Sequence, residues 1–292
     1  MTHSEDGLSF PTRNFQIDRL WTPATGYRKW YDLIENYSRC DLTFEKDVFA
    51  ALAGLATSVA EIKHAVSDAP YCAGIWTDDL AGGLAWGFWG ERRKTLEYQA
   101  PSFSWASWRS GVRYDLDVTQ SFNDPSPQSW VRYIDHNMKI AHGGTEWSGP
   151  FEDGNLHIRC HLFSLLLPPS FSNGCSWSIA WTTGGRCFEG FVWPIDFTEE
   201  EVPDVGRLYV VPLHDKPDLE GLTFLIVKHV SEISGSKAMV RIGIGKTYFT
   251  TGEIVGDLQL GEDFLSKPEN PDPVVNSWEV LLGEPQTEIY LI

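Results

Sequence analysis

The stretch that decides the fold runs from Tyr71 to Tyr114 and contains YCAGIW (residues 71–76), LAW (residues 84–86) and YQAPSFSWAS (residues 98–107). Five of the chain's thirteen tryptophans lie in it: Trp76, Trp86, Trp89, Trp105 and Trp108. A buried indole removes a large apolar area from water and usually needs a partner for its ring N–H. So many indoles in one short span predict either a dense core or an aromatic-lined cavity.

The run APSFSWAS leads to a second expectation. Pro101 disfavours a helical conformation at the preceding residue, and small residues then alternate with Phe103 and Trp105. This period of two predicts an extended segment with its rings on one face. We expect the aromatic side chains of this region to form the wall of a binding site for a hydrophobic small molecule: Trp76, Trp86, Phe103, Trp105 and Trp108, with Trp130 from a later loop.

Two helices are predicted upstream. From Arg28 to Tyr37, apolar residues recur at helical spacing. A second helix is predicted to start near Thr43, a suitable N-cap, and to run to about His64. Gly54 lies inside that helix, where glycine is unfavourable. We therefore expect another element, such as an indole, to approach Gly54 closely.

The rest of the chain is predicted to be rich in strands. Residues 156–162 alternate between apolar and polar side chains, as in a half-exposed strand. Further strands, separated by turn signals, are predicted near residues 111–118, 176–181, 188–193, 207–212, 222–230, 238–244, 278–282 and 288–292. The predicted fold class is mainly β with N-terminal helices (α+β), as an antiparallel sandwich or barrel packed against two or three helices.

Three segments are predicted to be irregular or mixed. Residues 73–88 are expected to form a short helix or a loop, and the Pro-rich residues 264–276 a surface loop. Residues 123–154 are expected to form a long loop with one short helix, whose aromatic face closes over a pocket. For the domain organisation, we expect an arm or linker over residues 1–27 and a single domain over residues 28–292. Its helical part would span residues 28–95 and its β-rich part residues 96–292.

Composition and charge narrow the classes of partner. The net charge is −17 and the Lys and Arg residues are scattered, which argues against nucleic acid or an anionic membrane as a partner. No apolar run is long enough to span a membrane, and the N-terminus lacks the features of a secretory signal. The five cysteines are widely spaced and do not suggest a disulfide framework. A cytoplasmic protein is therefore expected.

Motifs of cofactor and nucleophile chemistry are missing from the sequence. It contains no P-loop, dinucleotide fingerprint, GxSxG or HExxH. His157 and His161 lie on one predicted strand, where they would be about 12 Å apart, so we expect no metal site and no cofactor. The remaining candidates for catalytic groups are side chains that can donate hydrogen bonds: Tyr98, Arg39, His157, Arg159, Tyr133 and His136. Each of them is also compatible with an ordinary core or surface role.

The motifs AGIW, LAW and APSFSWAS resemble the signature that follows the HET domain in fungal heterokaryon incompatibility (HET) proteins. The segment Trp30–Ala56 and the later runs GNLHIRCHL, LYVVPL, GLTFLIVK, VRIGI and TEIYLI resemble the same family in order. Phe103 stands where the family usually has a tryptophan. The LSYxWG-like and IWID-like stretches of the HET domain itself have no counterpart, so the chain resembles a HET C-terminal region standing alone.

The resemblance implies two classes of function. Stand-alone HET-like proteins of fungal terpenoid pathways act as cyclases, which implies a cofactor-free pericyclase that forms a norbornene by an intramolecular Diels–Alder reaction. Such chemistry requires a polyene held in one reactive conformer and a hydrogen-bond donor to its activating carbonyl. The alternative is a non-enzymatic regulatory or partner-binding fragment of an incompatibility protein. An enclosed apolar pocket would favour the enzyme, and an exposed apolar patch the binding fragment.

Overall fold

The computed structural model describes residues 23–63, 70–88, 93, 95, 97–114, 129–165, 170–172, 176–183, 186–194, 205–216, 221–253 and 283–292. Three predicted features lie outside these residues. They are the N-terminal arm up to residue 22, the loop at residues 264–276 and the strand at residues 278–282.

Three helices lie near the N-terminal end of the described chain: α1 (Pro23–Tyr37), α2 (Ala50–Lys63) and the short α3 (Leu80–Leu84). α2 begins later than predicted. Residues Glu45–Asp47 form a 3-10 turn whose N-cap, Phe44, offers no side-chain hydrogen bond. The expectation for Gly54 is wrong, since a Cβ added there would meet nothing within 4 Å. Within the described residues, no helix has the length and apolar character needed to cross a membrane.

The described residues contain fourteen strands, which follow the helices or lie between them. Two short antiparallel pairs come first: β1 (Tyr71–Cys72) with β2 (Ile75–Trp76), and β3 (Trp86–Phe88) with β4 (Val112–Tyr114). The other ten strands form one large sheet: β5 (Val131–Thr145), β6 (Gly149–Cys160), β7 (Phe163–Ser164), β8 (Ser170–Ser172), β9 (Ser176–Thr183), β10 (Arg186–Pro194), β11 (Leu208–Lys216), β12 (Gly221–Ile233), β13 (Ser236–Glu253) and β14 (Thr287–Leu291).

The large sheet is organised around the long strand β13. A seven-strand path runs β5-β6-β14-β13-β10-β9-β8, and β12, β11 and β7 branch from β13 on its other side. The β13–β14 pair is parallel, while the other pairs of this sheet are antiparallel. The predicted class, mainly β with N-terminal helices, is confirmed. The sheet is mixed rather than purely antiparallel and does not close into a barrel.

The segment predicted as a long loop with a helix is instead a hairpin. Residues 131–145 and 149–160 form β5 and β6, and the turn between them spans residues 146–148. The register shifts between Tyr133 and Asp135 and again between Lys139 and Ile140. Each irregularity interrupts the alternation of apolar and polar residues on which strand prediction depends, because a one-residue slip exchanges the two faces. The prediction for residues 123–154 is therefore wrong over the hairpin.

Two groups of buried apolar side chains fill the interior. The first, here called the helix-side core, joins α1, α2 and the aromatic stretch to the sheet; its strand residues include Val211, Leu225 and Met239. The second, the strand-side core, includes Val210, Phe224 and Trp181. β11 and β12 contribute alternate residues to both cores. This burial on both faces accounts for their nearly continuous apolar sequences.

Candidate functional site

Two serines of APSFSWAS form hydrogen bonds to distant parts of the chain. The segment is not extended as predicted, because residues 105–107 form a 3-10 turn with Ser104 as its N-cap. The Ser104 hydroxyl accepts from the backbone N–H of Ala106 at 3.2 Å and donates to the carbonyl oxygen of Ala73 at 2.6 Å. A fully buried hydroxyl thus joins this turn to the AGIW motif. The turn also lets Phe103 and Trp105 both point into the core.

Ser102 makes the second set of connections. Its hydroxyl accepts from the backbone N–H of Arg241 on β13 at 2.9 Å and donates to the carbonyl oxygen of Ile292. The backbone N–H of Ser102 donates to the same carbonyl at 3.1 Å. The stretch around Ser102 therefore lies against the middle of the large sheet and fixes the position of the groove and the buried arginine described below.

Three of the six expected wall residues are packed inside the helix-side core. Trp76 is 1% exposed and lies against the rings of Trp30 and Tyr71, with centroids 5.7 and 4.7 Å away. Trp86 and Phe103 are fully buried, and the Trp86 indole donates to the carbonyl oxygen of Phe103 at 2.9 Å. These are the contacts of a dense core, the first of the two alternatives that the tryptophan content predicts.

The other two wall residues of that stretch lie on an open groove, here called the Trp105 groove. It runs between the α1–α2 connection and the segment of residues 95–110 and is open to solvent, with a cavity volume of only about 40 Å³. Its lining combines aromatic, apolar and polar side chains: Tyr37, Ser38, Cys40, Leu42, Glu45, Val48, Thr95, Gln99, Trp105, Ala106, Trp108, Arg109 and Ser110. The groove is narrow and faces solvent, unlike the enclosed cavity expected for a cyclase.

Ring contacts and a hydrogen bond hold the aromatic walls of the Trp105 groove in position. Tyr37 packs edge-on against Trp105 at 6.1 Å and donates its hydroxyl to the carbonyl oxygen of Val48 at 2.9 Å. Trp108 packs edge-on against Phe88 at 5.3 Å. A Cβ at Gly74 would collide with Nε1 of Trp105, so this glycine, rather than Gly54, is the one that an indole requires. The positive φ of Gly74, 92°, is a second reason for glycine there.

Two polar side chains of the groove can donate hydrogen bonds to a ligand. Gln99 lines the groove and is only 4% exposed. Arg109 lies at the rim, held by Glu45 at 3.0 Å and by Asp41 at 3.8 Å. Neither residue is among the donors expected from the sequence. Gln99 directly follows Tyr98, one of the expected donors, in the sequence.

The six expected donors do not meet in one site. Tyr98 is 48% exposed, and Arg39 lies at the surface 3.9 Å from Glu35. The Tyr133 hydroxyl and Nδ1 of His136 are 2.8 Å apart on the edge strand β5. The remaining expected wall residue, Trp130, lies in the strand-side core beside His161.

His157 and Arg159 belong to a charged face of the large sheet. The His157 ring stacks on Tyr290 at 4.2 Å, with Asp135 3.3 Å from Nδ1 and Glu288 3.5 Å from Nε2. Arg159 binds Glu288 at 2.6 Å and lowers the pKa of that carboxyl. Asp135, Glu288 and Arg159 are 39–68% exposed on their side chains. We interpret this face as a solvated surface network.

Charged groups are buried beneath the packed tryptophans. Lys63 is 3% exposed; its ammonium lies 2.8 Å from Asp78 and 3.9 Å from the centre of the Trp76 ring, and burial lowers its pKa. Burial raises the pKa of Asp79 to about 7, although the Tyr31 hydroxyl donates to its carboxyl at 2.5 Å. At neutral pH this partly buried carboxyl, which accepts from Tyr31 of the helix-side core, is near its midpoint of titration.

Arg241 is the buried cation that sequence reasoning missed. It is 2% exposed and its guanidinium lies 3.7 Å from the centre of the Trp86 ring. Nη2 donates to the carbonyl oxygen of Trp86, whereas Nε and Nη1 have no hydrogen-bond partner. Burial lowers its pKa, but a guanidinium ordinarily titrates so far above neutrality that it stays charged. The sequence does contain a signal for this burial, because in MVRIGI an arginine stands among the apolar residues of a predicted strand.

Comparison of the chain with known protein families, with curated proteins and with solved structures found no match.

Proposed function

We propose that the protein binds a hydrophobic polyene of the terpenoid class in the Trp105 groove and promotes its intramolecular [4+2] cycloaddition without a cofactor. The observation that carries this proposal is that Trp105 and Trp108, two of the aromatic residues expected to bind substrate, line one groove beside a buried amide, Gln99. Aromatic walls with a few convergent polar groups are typical of small-molecule sites.

The reaction would place few demands on the chain. In a cycloaddition of a cyclopentadiene with an alkene, two carbon–carbon σ bonds form and two π bonds are lost, which gives a norbornene isomeric with the substrate. No proton, electron or leaving group is exchanged, so neither a base nor a redox partner is needed. The rate depends on holding diene and alkene in one reactive conformer.

In this proposal each groove residue has one role. The partly exposed ring of Trp108 holds the apolar chain and displaces water from it, and the Trp105 ring, 2% exposed, packs behind that wall as part of the helix-side core. The amide N–H of Gln99 donates to a carbonyl that activates the alkene, where negative charge grows in the transition state. Arg109, already paired with Glu45, closes the rim.

The resemblance to HET C-terminal regions supports the same proposal. We interpret the chain as a relative of that region, acting in the cytoplasm of a fungal cell on a secondary metabolite. The absence of cofactor motifs from the sequence is consistent with a cycloaddition, which uses none.

The test is turnover by the purified protein. It is incubated with terpenoid polyenes that carry a cyclopentadiene and a carbonyl-activated alkene, and the products are separated by chiral chromatography. We expect a single norbornene stereoisomer, formed faster than in buffer. The isomer mixture of the uncatalysed reaction, at an unchanged rate, would reject the proposal.

Two variants connect turnover to the groove. Trp108→Ala should raise KM, because it removes apolar contact with the substrate. Gln99→Met, of similar volume, should lower kcat about tenfold through the loss of one hydrogen bond in the transition state. Phe44→Ala, at a 61% exposed position outside the lining, is the matched control and should leave both constants unchanged.

The exposed Phe44 favours one alternative, a partner-binding function. Its ring is exposed in the α1–α2 connection, close to Leu42 of the groove, and an exposed aromatic ring is a common anchor in protein interfaces. If the protein is a binding module of an incompatibility system, Phe44→Ala should abolish binding to its partner. The cyclase proposal predicts no effect of that substitution on turnover.

A further inference from the structure

Within the part of the chain that the structure describes, no carboxylate pairs with the buried guanidinium of Arg241. Among the same residues, its only hydrogen bond goes to a backbone carbonyl, that of Trp86. The partly buried carboxyl of Asp79 accepts a hydrogen bond from the Tyr31 hydroxyl. Removing a charge from water is expensive unless another group compensates it. Two of the N–H-bearing nitrogens, Nε and Nη1, thus remain available inside the core.

A second unused polar group lies beside the guanidinium. Tyr114 is the cross-strand partner of Trp86, so both side chains lie on the same face of the β3–β4 pair. Its hydroxyl is buried without a hydrogen-bond partner, and it interacts electrostatically with Arg241. The Tyr114 ring is held from the other side by Tyr31, stacked 4.3 Å away. The Trp86 ring, under the guanidinium, restricts its rotation.

We propose that Arg241 and Tyr114 form an internal binding site for a small oxyanion of the carboxylate class. Such a ligand supplies the negative charge that the guanidinium lacks and lone pairs for the free guanidinium N–H groups and the phenol O–H. Trp86 and Tyr31 hold these donors in place through their ring contacts. The site is separate from the Trp105 groove, and the inference does not depend on the proposed cyclase activity.

Formate, the smallest carboxylate, is the probe. Thermal unfolding of the full chain is followed in increasing sodium formate, with sodium chloride added to keep the ionic strength constant. We expect a saturable rise in Tm of about 3 °C, because a ligand that binds only the folded state stabilises it. Tyr114→Phe, which removes one donor and keeps the ring, should weaken the apparent affinity several-fold. Arg241→Met should abolish the effect.

A direct measurement covers the case in which Arg241→Met does not fold. The side-chain ¹⁵N–¹H resonance of Arg241 Nε, observed in the wild-type protein, should move with formate concentration along the same saturation curve. Arg113→Met, at an exposed neighbouring position on β4, is the matched control for general salt effects and should respond like wild type. If the Nε resonance does not move and the Tm curves of wild type and Tyr114→Phe coincide, the site holds ordered water only and the proposal is wrong.

Discussion

Two regions of this molecule are built from the same kind of residue and differ in what surrounds it. In the helix-side core, Trp30, Tyr71 and Trp76 lie edge to face with no exposed ring. In the Trp105 groove, Trp108 remains partly exposed beside a buried amide and a paired arginine. The same sequence stretch supplies tryptophans to both regions. An indole-rich stretch therefore does not by itself indicate a cavity, and the neighbours of each ring decide its role.

The largest expected difference between the two regions is in stability. Trp76→Ala should lower the free energy of unfolding by about 3–5 kcal/mol, because the cavity left in a packed core cannot collapse fully. Trp108→Ala should cost no more than about 1.5 kcal/mol, since that ring is already partly in solvent. Urea unfolding of both variants measures the difference. Equal losses of unfolding free energy would mean that Trp108 is packed as tightly as a core residue, which would remove the basis for a ligand site in the groove.

The pH dependence of stability should also distinguish the regions. The carboxyl of Asp79 has a pKa of about 7 in the fold, against about 3.9 in an unfolded chain. The folded state therefore binds an extra proton between these values. The contribution of Asp79 is fully present below about pH 4 and is lost as the pH rises through about 7, roughly 4 kcal/mol in all.

Asp79→Asn isolates this effect. Subtracting its unfolding free energy from that of wild type at each pH from 4.5 to 8 removes the contributions of His136 and His161. Burial lowers the pKa values of both histidines, which gives the opposite trend. The difference should fall steadily with rising pH. A flat difference would show that Asp79 is ionised throughout and that the helix-side core is more polar than its packing suggests.

Two glycines give a matched test of where an indole needs room. Gly74→Ala should cost about 3 kcal/mol, through collision with Trp105 and through its positive φ. Gly54→Ala, in the open interior of α2, should instead stabilise the protein by about 0.5–1 kcal/mol. Thermal unfolding of both variants tests the sign as well as the size. A stabilising Gly74→Ala would show that the Trp105 ring is free to move.

The smallest effect is expected at the rim of the groove. Arg109 is 42% exposed on its side chain and pairs with Glu45. A double-mutant cycle of Arg109→Met and Glu45→Gln should give a coupling energy of about 0.2–1 kcal/mol, as for other exposed ion pairs. A coupling above about 2 kcal/mol would mean that the rim is as rigidly built as the core.

Much of the fold could be predicted because its signals are local. The sequence directly shows the apolar runs of β11 and β12 and the Ser234-Gly235 pair that predicts a turn. In the structure both turn residues have a positive φ. The β5–β6 hairpin could not be predicted, since its register shifts disrupt the alternation. The turn at Ser104 was missed for a different reason. Its conformation depends on a hydrogen bond to Ala73, a residue 31 positions earlier.

The candidate site was less predictable than the fold. The sequence indicated an aromatic-rich stretch, but it could not separate the partly exposed Trp108 from the buried Trp76, Trp86 and Trp105, because composition does not say which ring has solvent on one side. Gln99 carries no pattern of its own. Arg241 interrupts an apolar strand, and only the structure shows that its side chain enters the core without a counter-ion.

The strands β11 and β12 have a consequence for how the protein melts. Each places alternate side chains in the helix-side core and in the strand-side core. Neither core can unfold while the other stays folded, because β11 and β12 belong to both. Denaturation of the described domain should therefore be a single cooperative event. A ligand held on the helical side would then protect amides at the far end of the sheet against hydrogen exchange.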